Sequence, residues 1–216
     1  MLNSTLKKLY RLFKPYATKF DMFHVLVRYM WCPKEALYKR LPQKGLAVDF
    51  GCGFAQLFAP EAAVGKGLRV VGIDMDLRKL SVAKKAYSGY ADVQFVKADG
   101  IPLKKADVVY IVDVMYLIPY EAQERIIRQA FAALSPGGVL VIKDMNTKPR
   151  YKYLWNAFQE FISVNVIGIT FGTKFYFRSQ ESYIKAATSA GFRVEAENLN
   201  IRRLYPDVVY VCRKPA

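Results

Sequence analysis

The sequence predicts an open α/β fold, doubly wound around a mostly parallel sheet, and three observations carry that prediction. Short Val- and Ile-rich runs alternate with helical segments from Leu46 to Lys143, the grammar of strands covered on both faces by helices. Two glycines, Gly51 and Gly53, close the first of these runs. Acidic residues end or follow four successive runs: Asp49, Asp74, Asp99 and Asp113. In an open sheet of this kind, ligands bind beyond the carboxyl ends of the strands.

Ahead of the sheet, residues 2–31 read as helix. Leu2, Leu6, Leu9, Phe13, Tyr16, Phe20, Phe23 and Val27 recur at spacings of three and four, with Lys7, Arg11, Lys14 and Thr18 on another face. Pro15 divides this run, because it removes a hydrogen-bond donor and crowds the preceding turn. Pro33 and the LPQKG stretch at 41–45 then punctuate the entry into the sheet. Strands are expected at 46–50, 69–74, 93–97, 107–112 and 139–143, and helices at 56–63, 77–87 and 120–134, with a turn at Pro136-Gly137-Gly138. After Asp144 the pattern loosens. Residues 151–161 have helical spacing, and 163–172 are apolar with glycines. Ser179 caps a helix that runs to Ala190 and stops at Gly191. Residues 193–199 and 207–213 read as two closing strands; with Tyr205-Pro206-Asp207 as a turn between them, they are expected to pair as a hairpin.

Charge divides the chain at similar places. The formal net charge of +15 invites nucleic acid or an anionic membrane as partner. Residues 1–44 carry ten basic side chains against two acidic ones, residues 45–144 twelve against eleven, and residues 145–216 eleven against five. The excess therefore lies outside the middle. We read 1–44 as a basic amphipathic helical cap, 45–144 as the core, 145–178 as an aromatic and basic insertion, and 179–216 as the closing helix and hairpin of the same domain. Cys32, Cys52 and Cys212 are odd in number and lack a CxxC spacing, which argues against a disulfide framework or a zinc site and for a cytoplasmic compartment. No metal site is expected. Neither a secretory leader nor a run of about 18 apolar residues is visible, so a peripheral position at the inner membrane face is the most that the sequence allows a membrane.

The chemistry-bearing motifs gather at strand ends. Val48-Asp49-Phe50-Gly51-Cys52-Gly53-Phe54-Ala55 ends a strand, admits close backbone approach at its glycines, and leads into a helix. Glycines also end strands for purely structural reasons, so this loop alone is weakly specific. Gly72-Ile73-Asp74-Met75-Asp76 sets a carboxylate at the tip of the second strand, 21 residues after Gly53, where it can accept both hydroxyls of a ribose. Asp99-Gly100 follows the third strand and Asp113 the fourth. Any one of these acids could simply cap the next helix. Four of them in register with a glycine loop argue for a ligand site.

On VDFGCGFA (48–55), GIDMD (72–76), VKADGIPL (96–103), ADVVYIVDVMYLIP (106–119) and LSPGGVLVIKD (134–144), the sequence resembles the class I S-adenosylmethionine-dependent methyltransferases. The resemblance runs from about Leu46 to Asp144 and more loosely to the end of the chain. It implies a seven-stranded sheet whose last strand is antiparallel, in accord with the closing hairpin. It also implies S-adenosylmethionine as cofactor and S-adenosylhomocysteine as product. Asp49, Phe50, Gly51, Cys52 and Gly53 would hold the methionine part, Asp74 the ribose hydroxyls, and Met75 would lie on the adenine ring. Asp99 and Gly100 would meet the edge of that ring, and Asp113 would complete the cofactor set. Ala55 stands where the family often has a third glycine. A dinucleotide-dependent dehydrogenase is the competing reading; against it, Gln56 breaks the GxGxxG/A pattern.

Methyl transfer needs a base only where the acceptor must lose a proton, which limits the catalytic candidates to three. Asp113 and Tyr116 stand just past the fourth strand, where the family's acceptor pocket meets the methyl group; Tyr116 is equally a wall residue. His24, the single histidine, is the side chain whose ordinary pKa lies nearest neutrality, and a packing role competes with a catalytic one. The acceptor expected is an apolar or aromatic small molecule, because both flanks that build the family's pocket are aromatic and basic here. An anionic membrane surface met through residues 1–44 is a further expected partner. A protein lysine, from the DxxY pattern at 113–116, and RNA are alternatives; nucleic acid ranks lower because no Asn/Asp-Pro-Pro-aromatic motif follows the fourth strand. A catalytically silent cofactor-binding scaffold is the non-enzyme alternative. The sequence leaves oligomeric state open.

Overall fold

The computed structural model describes residues 4–64, 67–147, 175–199 and 206–216. Three helices come first: α1 (Ser4–Phe13), α2 (Lys19–Trp31) and α3 (Lys34–Tyr38). Strand β1 (Gly45–Phe50), the one-turn α4 (Ala59–Ala62), β2 (Leu68–Asp74), α5 (Leu77–Ala86), β3 (Val93–Lys97) and β4 (Ala106–Val112) follow. A 3-10 turn at Met115–Leu117 leads to α6 (Tyr120–Ala133) and β5 (Leu134–Met145), then α7 (Gln180–Ser189), β6 (Arg193–Asn198) and β7 (Asp207–Arg213). The strands form one seven-stranded sheet in the order β3-β2-β1-β4-β5-β7-β6. β1 and β3 run parallel to β2, and β7 runs antiparallel to both β5 and β6. This is the mixed sheet, closing on an antiparallel strand, that the sequence predicts.

Two compact units divide the chain, Met1–Val109 and Tyr110–Ala216. In the first, α1 ends at Phe13, ahead of Pro15, and α2 begins behind a capping box. The Thr18 hydroxyl accepts the Asp21 N–H at 3.1 Å, and the Asp21 carboxylate accepts the Thr18 N–H at 3.4 Å, so two amide donors at the helix start are satisfied reciprocally. Leu6, Leu9 and Phe13 are buried. The Phe13 ring meets Phe54 (centroids 6.5 Å apart) and Tyr87 of the α5 C-terminus (5.8 Å), both edge-on; burial of such a ring contributes about 2–3 kcal/mol. The apolar stripe of α1 is thus spent on the core.

Three local details differ from the sequence reading. The helix expected at 56–63 is reduced to Ala59–Ala62. Residues 55–58 are used in turns instead: Ala55 takes a left-handed φ of +58° and donates its N–H to the Cys52 carbonyl at 2.7 Å. Strand β5 begins at Leu134, five residues early. Gly137, with φ +76°, donates to the Pro215 carbonyl, and the Gly138 carbonyl accepts the Lys214 N–H, so the SPGG segment pairs with the chain end rather than turning away. Finally, a short helix for which no expectation was formed, α3, stands between Pro33 and the LPQKG stretch. The expected helix at 151–161, the apolar stretch at 163–172 and Tyr205 of the proposed turn lie outside the described residues.

In the second unit, α6 buries Gln123, Ile126, Ile127, Ala130 and Ala133, and α7 starts at the Ser179 cap, whose hydroxyl accepts the Ser182 N–H at 3.3 Å. β5 and β7 pair in the register Leu140↔Cys212 to Met145↔Asp207, and β6 pairs with β7 from Arg193↔Arg213.

Gly72 sits where β2 passes both the glycine loop and β3. A methyl group there would stand 2.8 Å from Cys52 Sγ and 2.8 Å from a ring carbon of Phe95. We predict that Gly72→Ala destabilises the chain by about 1–3 kcal/mol, read from the urea unfolding midpoint; an unchanged midpoint would refute the tight packing.

Candidate active site

Register places the site residues of the first unit. β1 and β2 pair with Asp49 opposite Gly72 and Phe50 opposite Ile73. Beyond Phe50, the Gly51 and Cys52 N–H groups both donate to the Ile73 carbonyl, at 2.7 and 3.1 Å. Gly51 (φ +75°) and Gly53 (φ +56°) then turn the backbone through left-handed conformations, which glycine adopts at little cost. The loop is tied to the tip of β2 by Asp74. One oxygen of its carboxylate accepts the Gly53 N–H at 2.7 Å and the other accepts the Asp76 N–H at 2.8 Å. Asp76 in turn caps α5, accepting the Arg78 and Lys79 N–H groups at 3.0 and 3.1 Å.

Asp49 is buried at the end of β1. Burial, reinforced by the nearby Asp74 charge and opposed by Arg28, pushes its carboxyl up to about 7. Cys52 is buried, and its thiol is raised for the same first reason. The Ala98 N–H donates to the Asp74 carbonyl at 3.3 Å, which brings the exposed Asp99 and the buried Gly100 near the Asp74–Met75 tip. Met75 itself is 58% exposed, a large apolar side chain in water just past a strand end.

These residues fit the donor that the resemblance implies. At Gly53 an added methyl would meet a single neighbouring atom, Lys79 Cδ at 3.9 Å, so packing does not demand glycine there; the left-handed turn and an open approach to the backbone do. The Asp74 oxygens, each fixed by an amide, keep a second lone pair for a ribose hydroxyl. An exposed thioether is suited to lie on a purine face. In the loop, then, Asp49 to Gly53, Asp74, Met75, Asp99 and Gly100 are brought together as one end of the sheet.

His24 joins the same region. Its ring lies 5.9 Å from Phe54, the residue after Gly53. Burial, aided by Arg28 and Lys79, holds the imidazole down at about 4, so it is neutral at pH 7. The N-terminal helices are fastened here by a second tie: Arg78 of α5 pairs with the buried Asp21 at 2.8 Å while its guanidinium lies over the Phe54 ring.

Asp113 and Tyr116 belong to the second unit, in surroundings the sequence did not foretell. Asp113 follows β4 with a left-handed φ of +54°, uncommon for a residue bearing a side chain. Its N–H donates to the Lys143 carbonyl at 2.9 Å, and its carboxylate accepts from Lys143 Nζ at 2.5 Å. Asp207 takes the same ammonium at 2.7 Å. Burial works to lower the Lys143 pKa, and the two carboxylates outweigh it, so the ammonium is held charged well above its ordinary range. Next to it, burial raises the Asp144 carboxyl to about 7 although the Tyr183 hydroxyl donates to it.

Tyr116 is buried. Its ring stacks on Phe177 (centroids 5.2 Å apart, 8° between planes) and tilts against Phe175 at 6.1 Å, and its carbonyl accepts the Tyr176 N–H at 2.7 Å. This arrangement is held by two residues that sequence reading passed over. The Gln123 amide donates to the Met115, Ile118 and Tyr176 carbonyls, and its oxygen accepts Arg178 Nε at 2.6 Å. Arg178 also reaches the Glu124 carboxylate at 3.0 Å. A polar residue on the apolar side of α6 was a readable signal for Gln123, and a lysine inside the VLVIKD run was one for Lys143.

The model of the methyltransferase-domain family matches residues 27–197. No curated protein matches the sequence. Among solved structures, a chain of the complex between the Haloferax volcanii Trm112 methyltransferase activator and its methyltransferase is 20% identical, with a TM-score of 0.71 over 94% of this chain and 98% of that one. An S-adenosylmethionine-dependent methyltransferase of Thermotoga maritima is 18% identical (TM-score 0.65, 95% of this chain, 99% of that). The magnesium protoporphyrin IX methyltransferase of Synechocystis, with S-adenosylhomocysteine bound, is 20% identical (TM-score 0.65, 98% of this chain, 95% of that).

Two predictions test the site. Asp74→Ala removes the acceptor of two backbone bonds and should weaken S-adenosylmethionine binding by about a hundredfold or more; calorimetry returning the parent's affinity would refute the assignment of Asp74 to the ribose. Asp49 is partly protonated at neutral pH in the chain alone, and a cationic ligand beside it favours the carboxylate. Binding near pH 7 should therefore release a proton, and affinity should fall as the pH drops below 7. Calorimetric titration in buffers of different ionisation enthalpy measures that proton, and its absence would remove Asp49 from the site.

Proposed function

This chain belongs to the methyltransferase-domain family and is an S-adenosylmethionine-dependent methyltransferase, and from that premise we propose that it methylates an apolar, aromatic or lipid-like small molecule. The donor supplies the reactivity of a sulfonium methyl. What remains for the protein is to hold the donor, align the acceptor and exclude water. In the first unit we assign the Asp49–Gly53 loop, with Phe50 as its buried footing, to the methionine part of the donor. Asp74 is assigned to the ribose, Met75 to the adenine face, and Asp99 with Gly100 to the adenine edge. His24, half-buried beside Phe54 and held neutral at pH 7, is assigned to hydrogen-bond the acceptor's nucleophile rather than to take its proton.

In the second unit, Asp113 is assigned to the donor and acceptor end, its carboxylate fixed by Lys143. Tyr116 is assigned to the acceptor wall. The observation that carries the substrate reading is the stack of Tyr116 on Phe175 and Phe177. The aromatic segment that follows β5 in the sequence returns to the DVMY motif, and a wall of rings favours an acceptor with apolar surface. The Synechocystis neighbour acts on a protoporphyrin, a large apolar ring, which supports the same reading. We place the enzyme in a reducing, cytoplasmic compartment, which its three buried free thiols suit, with its acceptor met at a membrane surface. Among the described residues no helix is long and apolar enough to cross a membrane.

The test offers radiolabelled S-adenosylmethionine and the purified chain to membrane lipid extract, to protein lysate and to tRNA. Label is expected in the lipid extract. Label confined to protein lysines or to tRNA would overturn the substrate reading, and no turnover with any fraction, despite cofactor binding, would favour a silent scaffold.

A further inference from the structure

Helix α2 has two apolar faces, and the structure uses one. Met22, Val25 and Tyr29 are buried. On the other side Phe20, Phe23 (65% exposed), Met30 and Trp31 (56% exposed) stand in solvent. At 3.6 residues per turn these four fall within about 100° of arc and form one stripe about 16 Å long. Tyr16, just ahead of the helix, is exposed as well. An apolar stripe of this size on a single helix marks an interaction surface. The periodic apolar run read from the sequence thus divides: Leu6, Leu9 and Phe13 are buried on α1, and Tyr16, Phe20 and Phe23 stand in solvent.

Charge says what would cover it. Residues 1–34 hold seven basic side chains and one acid, Asp21. That acid is buried and paired with Arg78 at 2.8 Å. Lys7, Lys8, Arg11, Lys14 and Lys19 are exposed, and the exposed acid next in the chain is Glu35, past the C-terminal end of α2. A bilayer bearing acidic headgroups uses both features, taking the rings at headgroup depth and the ammonium groups at its phosphates.

We propose that α2 docks this chain on an anionic lipid surface, with Phe20, Phe23, Met30 and Trp31 entering the boundary between headgroups and acyl chains and Lys14 and Lys19 lying on the phosphates. The docking stands on this surface alone; its purpose, access to an apolar acceptor, rests on the function proposed above.

The full chain is sedimented with vesicles of phosphatidylcholine, with and without phosphatidylglycerol. Binding should require phosphatidylglycerol and weaken about tenfold or more between low and high salt. Lys14→Ala with Lys19→Ala should weaken it on the order of twentyfold, and Phe20→Ser with Phe23→Ser at least about tenfold. Circular dichroism checks that the variants are folded. A second readout needs no change in α2: with Trp155, the other tryptophan of the sequence, replaced (W155F), Trp31 emission should shift to the blue on anionic vesicles only. Equal binding to neutral vesicles, no binding, binding untouched by both double variants, or an unshifted Trp31 would overturn the proposal. So would concentration-dependent dimerisation abolished by the Phe variants, which would show a second copy covering the stripe. Loss of vesicle binding with methyl transfer to detergent-dispersed lipid intact overturns docking alone. Vesicle binding with label only in protein or tRNA overturns the substrate reading alone.

Discussion

The Asp74 carboxylate is the tie on which the first unit depends. By accepting the Gly53 N–H with one oxygen and the Asp76 N–H with the other, it joins the loop after β1 to the turn that starts α5. That clamp has consequences on both sides. It holds a second carboxyl, Asp49, in a buried place near a fixed negative charge, which is why Asp49 titrates near neutrality rather than in the usual carboxylate range. It also requires the loop to press against β2, where the absence of a side chain at Gly72 makes room for Cys52 and Phe95. Two glycines separated in sequence therefore differ in their surroundings: Gly72 yields space to protein, and a methyl at Gly53 would meet only Lys79 Cδ, at 3.9 Å.

Phe54 extends the same tie outward. It follows Gly53 directly and gathers Phe13, His24 and the Arg78 guanidinium around one ring. The N-terminal helices are thus fastened to the loop rather than merely appended to the sheet. Burial against that ring, with Arg28 and Lys79 near, strips His24 of its ordinary basicity. A histidine that stays neutral through physiological pH is a hydrogen-bonding group and not a switch.

The second unit solves a different problem, that of keeping charge inside a sheet. Lys143 is buried on β5 and survives there as a cation because Asp113 and Asp207 flank it. Loss of either partner would leave an uncompensated buried charge, the costly case for such pairs. The left-handed backbone at Asp113 delivers its carboxylate to that ammonium, so strain at one residue and charge at another are two parts of one arrangement. Gln123 and Arg178 do the equivalent work for the chain returning at Phe175, satisfying the carbonyls that the aromatic stack leaves near the core.

By itself the sequence determined the order of strands and helices, the turn after Phe13, the cap at Ser179, and the glycine loop with its acid at the tip of β2. All of these are local. Alternation, helical spacing, a left-handed glycine and a capping hydroxyl are dictated by residues within one or two turns of each other. Tertiary structure decided the rest, because it depends on register and on which of two faces is covered. Lys143 and Asp113 stand 30 residues apart in sequence, and only the placement of β5 makes them a pair. Ala55–Phe58 has the composition of a helix but turns instead, since Gly53 is held by Asp74 and the chain must first clear the loop. Both α1 and α2 carry apolar spacing on paper. Packing buries the stripe of α1 and leaves one stripe of α2 in water, and no period in the sequence distinguishes a face that meets the core from one that does not.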